Sequence, residues 1–120
     1  MTNTNIYYHA IHNSYIAGDN ILTMHDIVNQ FETIEDAVEF YNWESGQTLE
    51  EYLDIQDSQC ISFTQDLEEV KEIAEYTNRA KILVVELSDE YINRIIINSE
   101  GYPMIEGQIP AELIIDIINI

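Results

Sequence analysis

The chain predicts an α+β fold, a mixed or antiparallel sheet with two to four helices, on three observations. Runs rich in β-branched and aromatic residues recur around residues 6–11, 59–63 and 81–87, which is the composition of strands. Between the last two, Leu67, Val70, Ile73 and Ala74 repeat at helical spacing. The two patterns alternate irregularly, unlike a wound parallel sheet, within 120 residues that suit a single domain, 1–120.

Ile6-Tyr7-Tyr8-His9-Ala10-Ile11 reads as the opening strand. Gly18-Asp19-Asn20 is a turn, because Gly and Asx residues tolerate turn backbone angles. Thr23 is placed to cap a helix through Asp26. Helical spacing then extends over 24–41 with a break near Thr33. Ile34, Val38 and Tyr41 share one face, and Glu35, Asp36 and Glu39 lie off it. Gly46 closes this region. Thr48-Leu49-Glu50-Glu51 has capping-box spacing and starts a short helix. The strand over 59–63 is followed by a helix capped by Thr64 and reaching about Thr77. Its acids Asp66, Glu68, Glu69, Glu72 and Glu75 face water, and those in the first turn suit the helix dipole. Residues 81–87 are apolar enough for a central strand. Ser88-Asp89-Glu90 turns the chain. Ile95-Ile96-Ile97 and residues 102–105 read as two strands around Ser99-Glu100-Gly101. Pro110 interrupts, and residues 113–120 fit a strand or a short helix equally.

Charge is the strongest functional signal. Four Lys and Arg residues (Lys71, Arg79, Lys81 and Arg94) stand against 23 Asp and Glu, for a net charge of -19. Like charges repel in the compact state, and ordinary soluble surfaces intersperse both signs. Here no Lys or Arg precedes Lys71. The abundance of Ile, Asn and Tyr resembles the output of an AT-rich genome, which would also encode Lys, so the shortage of Lys points to selection. A 46% hydrophobic content provides a core and argues against disorder. Direct nucleic-acid binding is disfavoured, because it depends on neutralising phosphates. An anionic membrane surface would repel the chain, and no stretch approaches membrane-spanning length. The single cysteine, Cys60, forbids an intramolecular disulfide and fits a reducing compartment. No signal-type run follows Met1-Thr2-Asn3-Thr4-Asn5, so the expected location is the cytoplasm.

The densest acidic stretch is Glu35, Asp36, Glu39, Glu44, Glu50, Glu51, Asp54 and Asp57. Set on helices, these carboxylates roughly imitate a row of phosphates. Trp43, with Tyr7, Tyr8, Tyr15, Tyr41 and Tyr52 in the same Lys-free half, offers aromatic anchors of the kind favoured at binding surfaces. The leading expectation is a small acidic inhibitor, phage or mobile-element encoded. It docks on the basic surface of a nucleic-acid-binding host or defence protein and blocks it, as DNA-mimic anti-restriction and anti-CRISPR proteins do. An immunity protein or antitoxin against a basic toxin would use the same physics.

Evidence for other chemistry is thin. His9 and His12 lie three apart, which on a strand sends them to opposite faces, and no Cys-x-x-Cys, His-Glu-x-x-His or calcium-loop spacing occurs, so no metal site is expected. His12 and His25 read as surface or turn residues. Cys60 reads as a core residue whose acidic surroundings raise its pKa, unlike a nucleophile.

Three segments in order resemble the ADP-ribosyltransferase-like fold: Tyr8-His9-Ala10 as its histidine-bearing opening strand; Ile61-Ser62-Phe63-Thr64, followed by a helix with a late aromatic, Tyr76, and the strand over 82–87; and Gly107-Gln108-Ile109-Pro110-Ala111-Glu112-Leu113-Ile114 as the segment after its catalytic strand. The resemblance implies a mono-ADP-ribosyltransferase using NAD to modify a host protein. His9 would orient the nicotinamide-side ribose, Ser62 would flank it, and Glu106 would stabilise the oxocarbenium-like transition state. A second register puts Tyr102 at the glutamate position with Glu100 nearby. A scaffold of this kind that has lost its glutamate would persist as a binding protein, with no cofactor.

Overall fold

In the computed structural model, which describes residues 5–41 and 47–120, the strands form two three-stranded antiparallel sheets. The first has β3 (Lys81–Glu86) between β1 (Ile6–Ile11) and β6 (Ile114–Asn119); the second has β5 (Pro103–Glu106) between β2 (Cys60–Ser62) and β4 (Ile96–Ile97). Among the described residues five α-helices accompany them: α1 (Met24–Val28), α2 (Ile34–Tyr41), α3 (Leu49–Leu53), α4 (Leu67–Tyr76) and α5 (Asp89–Ile92). The α+β class therefore holds, with one helix more than the expected range. The added one is α5, where a turn was expected. Ile92 N–H and Asn93 N–H close helical bonds on Ser88 O and Asp89 O, each 3.0 Å.

β3 is central because both its faces are covered. Tyr7, His9 and Ile11 of β1 pair with Val85, Leu83 and Lys81, so these side chains share one face. Tyr8 and Ala10 pair with Val84 and Ile82 on the other. The first face belongs to the main core, with Ile21, Ile61, Phe63, Leu87, Ile105 and Ile109. The second packs on α4 through Val70 and Ala74. A third cluster of Val28, Ala37 and Leu49 holds α1, α2 and α3 together.

A bridge joins the sheets. Tyr8 N–H donates to Thr64 O at 2.7 Å, and Thr64 N–H donates to Tyr8 O at 3.1 Å. This contact explains why Thr64 is not the cap of α4. Its backbone is committed to β1, so the cap moves to Asp66, whose side chain accepts from Glu69 N–H. Thr64 Oγ1 instead accepts from Asp66 N–H at 3.1 Å and donates to Glu69 Oε1 at 3.0 Å.

Other local expectations meet their structure. Thr23 caps α1 by accepting from Asp26 N–H, and Thr48 with Glu51 forms a reciprocal capping box on α3. The helical run over 24–41 is broken into α1 and α2, and Thr33 Oγ1 accepts from Asp36 N–H at the start of α2. Residues 113–120 are resolved in favour of strand: β6 pairs with β3, with a register shift at Val84/Val85. The glycine turn closes with Asp19 N–H on Ile16 O and Gly18 at φ +100°. Gly46 lies outside the described residues.

Candidate functional site

A cleft of about 580 Å³ opens beside the core face of β1. His9 reaches it because strand alternation turns its ring toward the core face, against Phe63 at 5.8 Å between ring centroids. Its Nδ1 lies 2.7 Å from the backbone oxygen of Ser62. A carbonyl can only accept, so Nδ1 carries the proton and donates, leaving Nε2 as the acceptor of the neutral ring. Burial lowers the His9 pKa to about 4; the bond to Ser62 pulls the other way, and the Arg79 charge lowers it further. His9 is therefore neutral at pH 7. Ser62 lines the same cleft.

Glu106 stands apart from this pair. It sits across from Cys60, whereas Ser62 faces Met104. It is exposed and is not among the residues lining the cleft. Its backbone oxygen accepts from Arg94 Nη2 at 2.8 Å, and the Arg94 guanidinium lies 5.2 Å from the centre of the Tyr91 ring. The structure thus brings His9 and Ser62 together and leaves Glu106 toward the far end of the strand pair. In the second register, Tyr102 precedes β5 with its amide bonded to Asn98 Oδ1, and Glu100 is exposed on the adjoining turn. Cys60 is buried as expected, and burial, Glu106 and Asp57 together raise its thiol pKa.

Sequence reasoning did not place His12, Tyr41, Tyr52 or Arg79 in one cleft with His9. The alternation argument put His12 opposite His9, but β1 ends at Ile11, so alternation no longer applies and both histidines line one cleft. Among the described residues no group of three His, Cys, Asp or Glu could hold a metal. His12 is half-buried rather than a plain surface residue. Its ring lies 4.2 Å from that of Tyr41, and its Nδ1 is bonded to Ser14. His25 bonds through Nε2 to Leu53 O, tying α1 to the end of α3. The tyrosines expected as surface anchors face inward instead: Tyr7 and Tyr15 are buried, Tyr8 packs toward α4, and Tyr41 and Tyr52 line the cleft.

Arg79 owes its direction to the end of α4. Asn78 takes the left-handed conformation at φ 59°, Arg79 N–H reaches back to Ala74 O at 2.7 Å and Asn78 N–H to Glu75 O at 3.2 Å, the pattern of a Schellman motif. Asn78, an Asn just beyond a helical stripe, was a readable signal for this turn. The side chain then folds over β1, where Nη1 donates to Ala10 O at 2.8 Å. Burial lowers the Arg79 pKa, while Tyr41 and Tyr52 raise it.

The acidic residues form a second feature. Glu35, Asp36, Glu39, Glu50, Glu51 and Asp54 are exposed, and Asp57 is half-buried. Trp43 and Glu44 lie outside the described residues. Glu35, Glu39 and Glu50 line one groove of about 290 Å³ between α2 and α3, floored by Ile34, Val38 and Leu49. Little intramolecular charge offsets these carboxylates. Lys81 Nζ donates to Tyr15 O at 2.7 Å, Arg79 and Arg94 also donate to backbone oxygens, and the single ion pair among the described residues is Lys71–Glu68 at 3.8 Å. No helix among the described residues is long and apolar enough to cross a membrane. No protein family, curated protein or solved structure matches this chain.

Proposed function

We propose that this protein is a small acidic inhibitor that docks on the basic surface of a nucleic-acid-binding protein and blocks it. The observation that carries this reading is the groove between α2 and α3. Three carboxylates, Glu35, Glu39 and Glu50, rim an apolar floor of Ile34, Val38 and Leu49, with no basic residue among its lining. A Lys or Arg from a partner would lay its aliphatic stem on that floor and its charged head among the carboxylates. The inward-turned cations strengthen the case, because they leave the outer field almost uncompensated. Such a field speeds encounter and makes affinity fall with salt. The test is titration into candidate basic partners at low and high ionic strength, with wild type and Glu35→Gln/Glu39→Gln/Glu50→Gln. Weaker binding by the triple variant supports the reading; binding indifferent to both salt and variant rejects it.

The contact between His9 and Ser62 favours a second reading, an NAD-dependent mono-ADP-ribosyltransferase. The neutral ring, held by the Ser62 carbonyl at the cleft wall, would orient a ribose hydroxyl through Nε2. Glu106 would have to reach in from the strand beside Ser62. Incubation with labelled NAD and lysate decides it. Transfer by wild type that is lost in His9→Ala and Glu106→Gln supports the activity; no transfer, or equal transfer by all three, removes it.

A further inference from the structure

Arg79 is a cation on the inside of an anionic protein. The bond from Nη1 to Ala10 O is the only hydrogen bond of its side chain among the described residues, and none of their carboxylates pairs with it. No buried side-chain nitrogen among the described residues lacks a partner. The rest of the guanidinium therefore opens onto the cleft it lines. A guanidinium has five N–H donors in a planar fork that matches a carboxylate in bidentate fashion.

Charge and shape narrow the ligand. Among the described residues of the lining, Arg79 is the only Lys or Arg and Asp19 the only carboxylate. The chain carries a net charge of -19 with Arg79 already counted; a single guanidinium pairs with one negative charge, and a dianion is repelled by the remainder of the field. Around Arg79 stand His12, Tyr41 and Tyr52, with His12 and Tyr41 rings 4.2 Å apart, and neutral His9 lines the same cleft. Rings of this kind pack a flat ligand body. The volume of about 580 Å³ lies in the range of small-molecule sites.

We propose that the cleft binds a small aromatic monocarboxylate, its carboxylate forked on Arg79 and its ring against His12, Tyr41 and Tyr52. This uses neither the outer carboxylates nor Glu106, so it stands or falls independently of the inhibitor reading, and it competes with the transferase reading for the cleft that His9 and Ser62 also line.

Benzoate is the probe, followed by calorimetric titration and chemical-shift mapping of the whole chain at pH 7. Saturable binding of benzoate is expected, with shifts confined to the cleft. Benzamide, its neutral isostere, binds at least about tenfold more weakly, in line with the loss of a charge-assisted pair. Phenyl phosphate, a dianion, binds no better than benzoate. Arg79→Gln loses benzoate by a similar factor, Arg79→Lys keeps the charge but not the fork and falls between, and Arg94→Gln binds as wild type. The proposal is overturned by no saturable benzoate binding, by benzamide matching benzoate, by phenyl phosphate binding more tightly, or by a folded Arg79→Gln that retains benzoate. If Arg79→Gln does not fold, the benzoate and benzamide comparison on wild type decides.

Discussion

His9 Nδ1 and the backbone oxygen of Ser62 lie 2.7 Å apart across the junction of the two sheets. The contact links β1 to β2 one residue from the bridge of Tyr8 with Thr64. It also fixes the proton on Nδ1 in a ring that burial keeps neutral.

That neutrality has a pH signature. The His9 pKa falls from 6.5 to about 4 in the folded state, so between these values the unfolded chain binds more protons. Stability contributed by the neutral ring is fully present above about 6.5 and is lost as pH falls toward 4. The size is at most about 3–4 kcal/mol, at roughly 1.4 kcal/mol per unit. His12, also lowered by burial and by Arg79, adds in the same direction. Acid also relieves carboxylate repulsion, with opposite sign, so the readout is the difference between wild type and His9→Gln. Denaturant unfolding at pH 7 and pH 4.5 should show that difference shrinking on acidification. A constant difference would contradict the assignment.

The capping box on α3 supports one wall of the acidic groove. Thr48 accepts from Glu51 N–H at 3.1 Å, and Glu51 Oε1 accepts from Thr48 N–H at 2.9 Å. Thr48→Ala should cost about 1 kcal/mol of unfolding free energy. Thr48→Ser should recover most of it. Equal losses in both would argue against the cap.

Leu83 is fully buried on the central strand opposite His9. Leu83→Ala should destabilise by about 2–5 kcal/mol. Tyr76→Ala should stay within about 0.5 kcal/mol, because Tyr76 is 92% exposed. Comparable effects in thermal unfolding would contradict the described core.

Gly107 has φ +90°, and an added Cβ would meet nothing nearer than Arg94 Nη2 at 3.8 Å. Gly107→Ala should therefore cost about 1–2 kcal/mol through backbone strain, with no steric penalty. Arg94→Ala in the same background should leave that cost unchanged.

Most elements were legible because their signals are local. The caps at Thr23 and Thr48, the stripe of α4 and the apolar run of β3 each sit within a few residues of what they determine. Thr64 misled because its backbone partner, Tyr8, lies far away in the chain. β6 was ambiguous for the same reason: Ile114–Asn119 becomes a strand by pairing with β3. At the site, His9 and Ser62 were readable as motif positions. The cleft's other side chains were not, since Tyr41, Tyr52 and Arg79 meet only when α2, α3 and the end of α4 converge. The acidic surplus was fully visible; that three of its members rim one groove depends on how α2 packs against α3.

The most direct test of the central claim is the salt dependence of binding to a basic nucleic-acid-binding partner, with displacement of that partner's duplex DNA followed in the same titration. An uncompensated anionic surface predicts steep loss of affinity between about 50 and 500 mM salt, where the screening length falls from roughly 14 to 4 Å, together with DNA release at low salt. Affinity unchanged across that range, with DNA still bound, would contradict it.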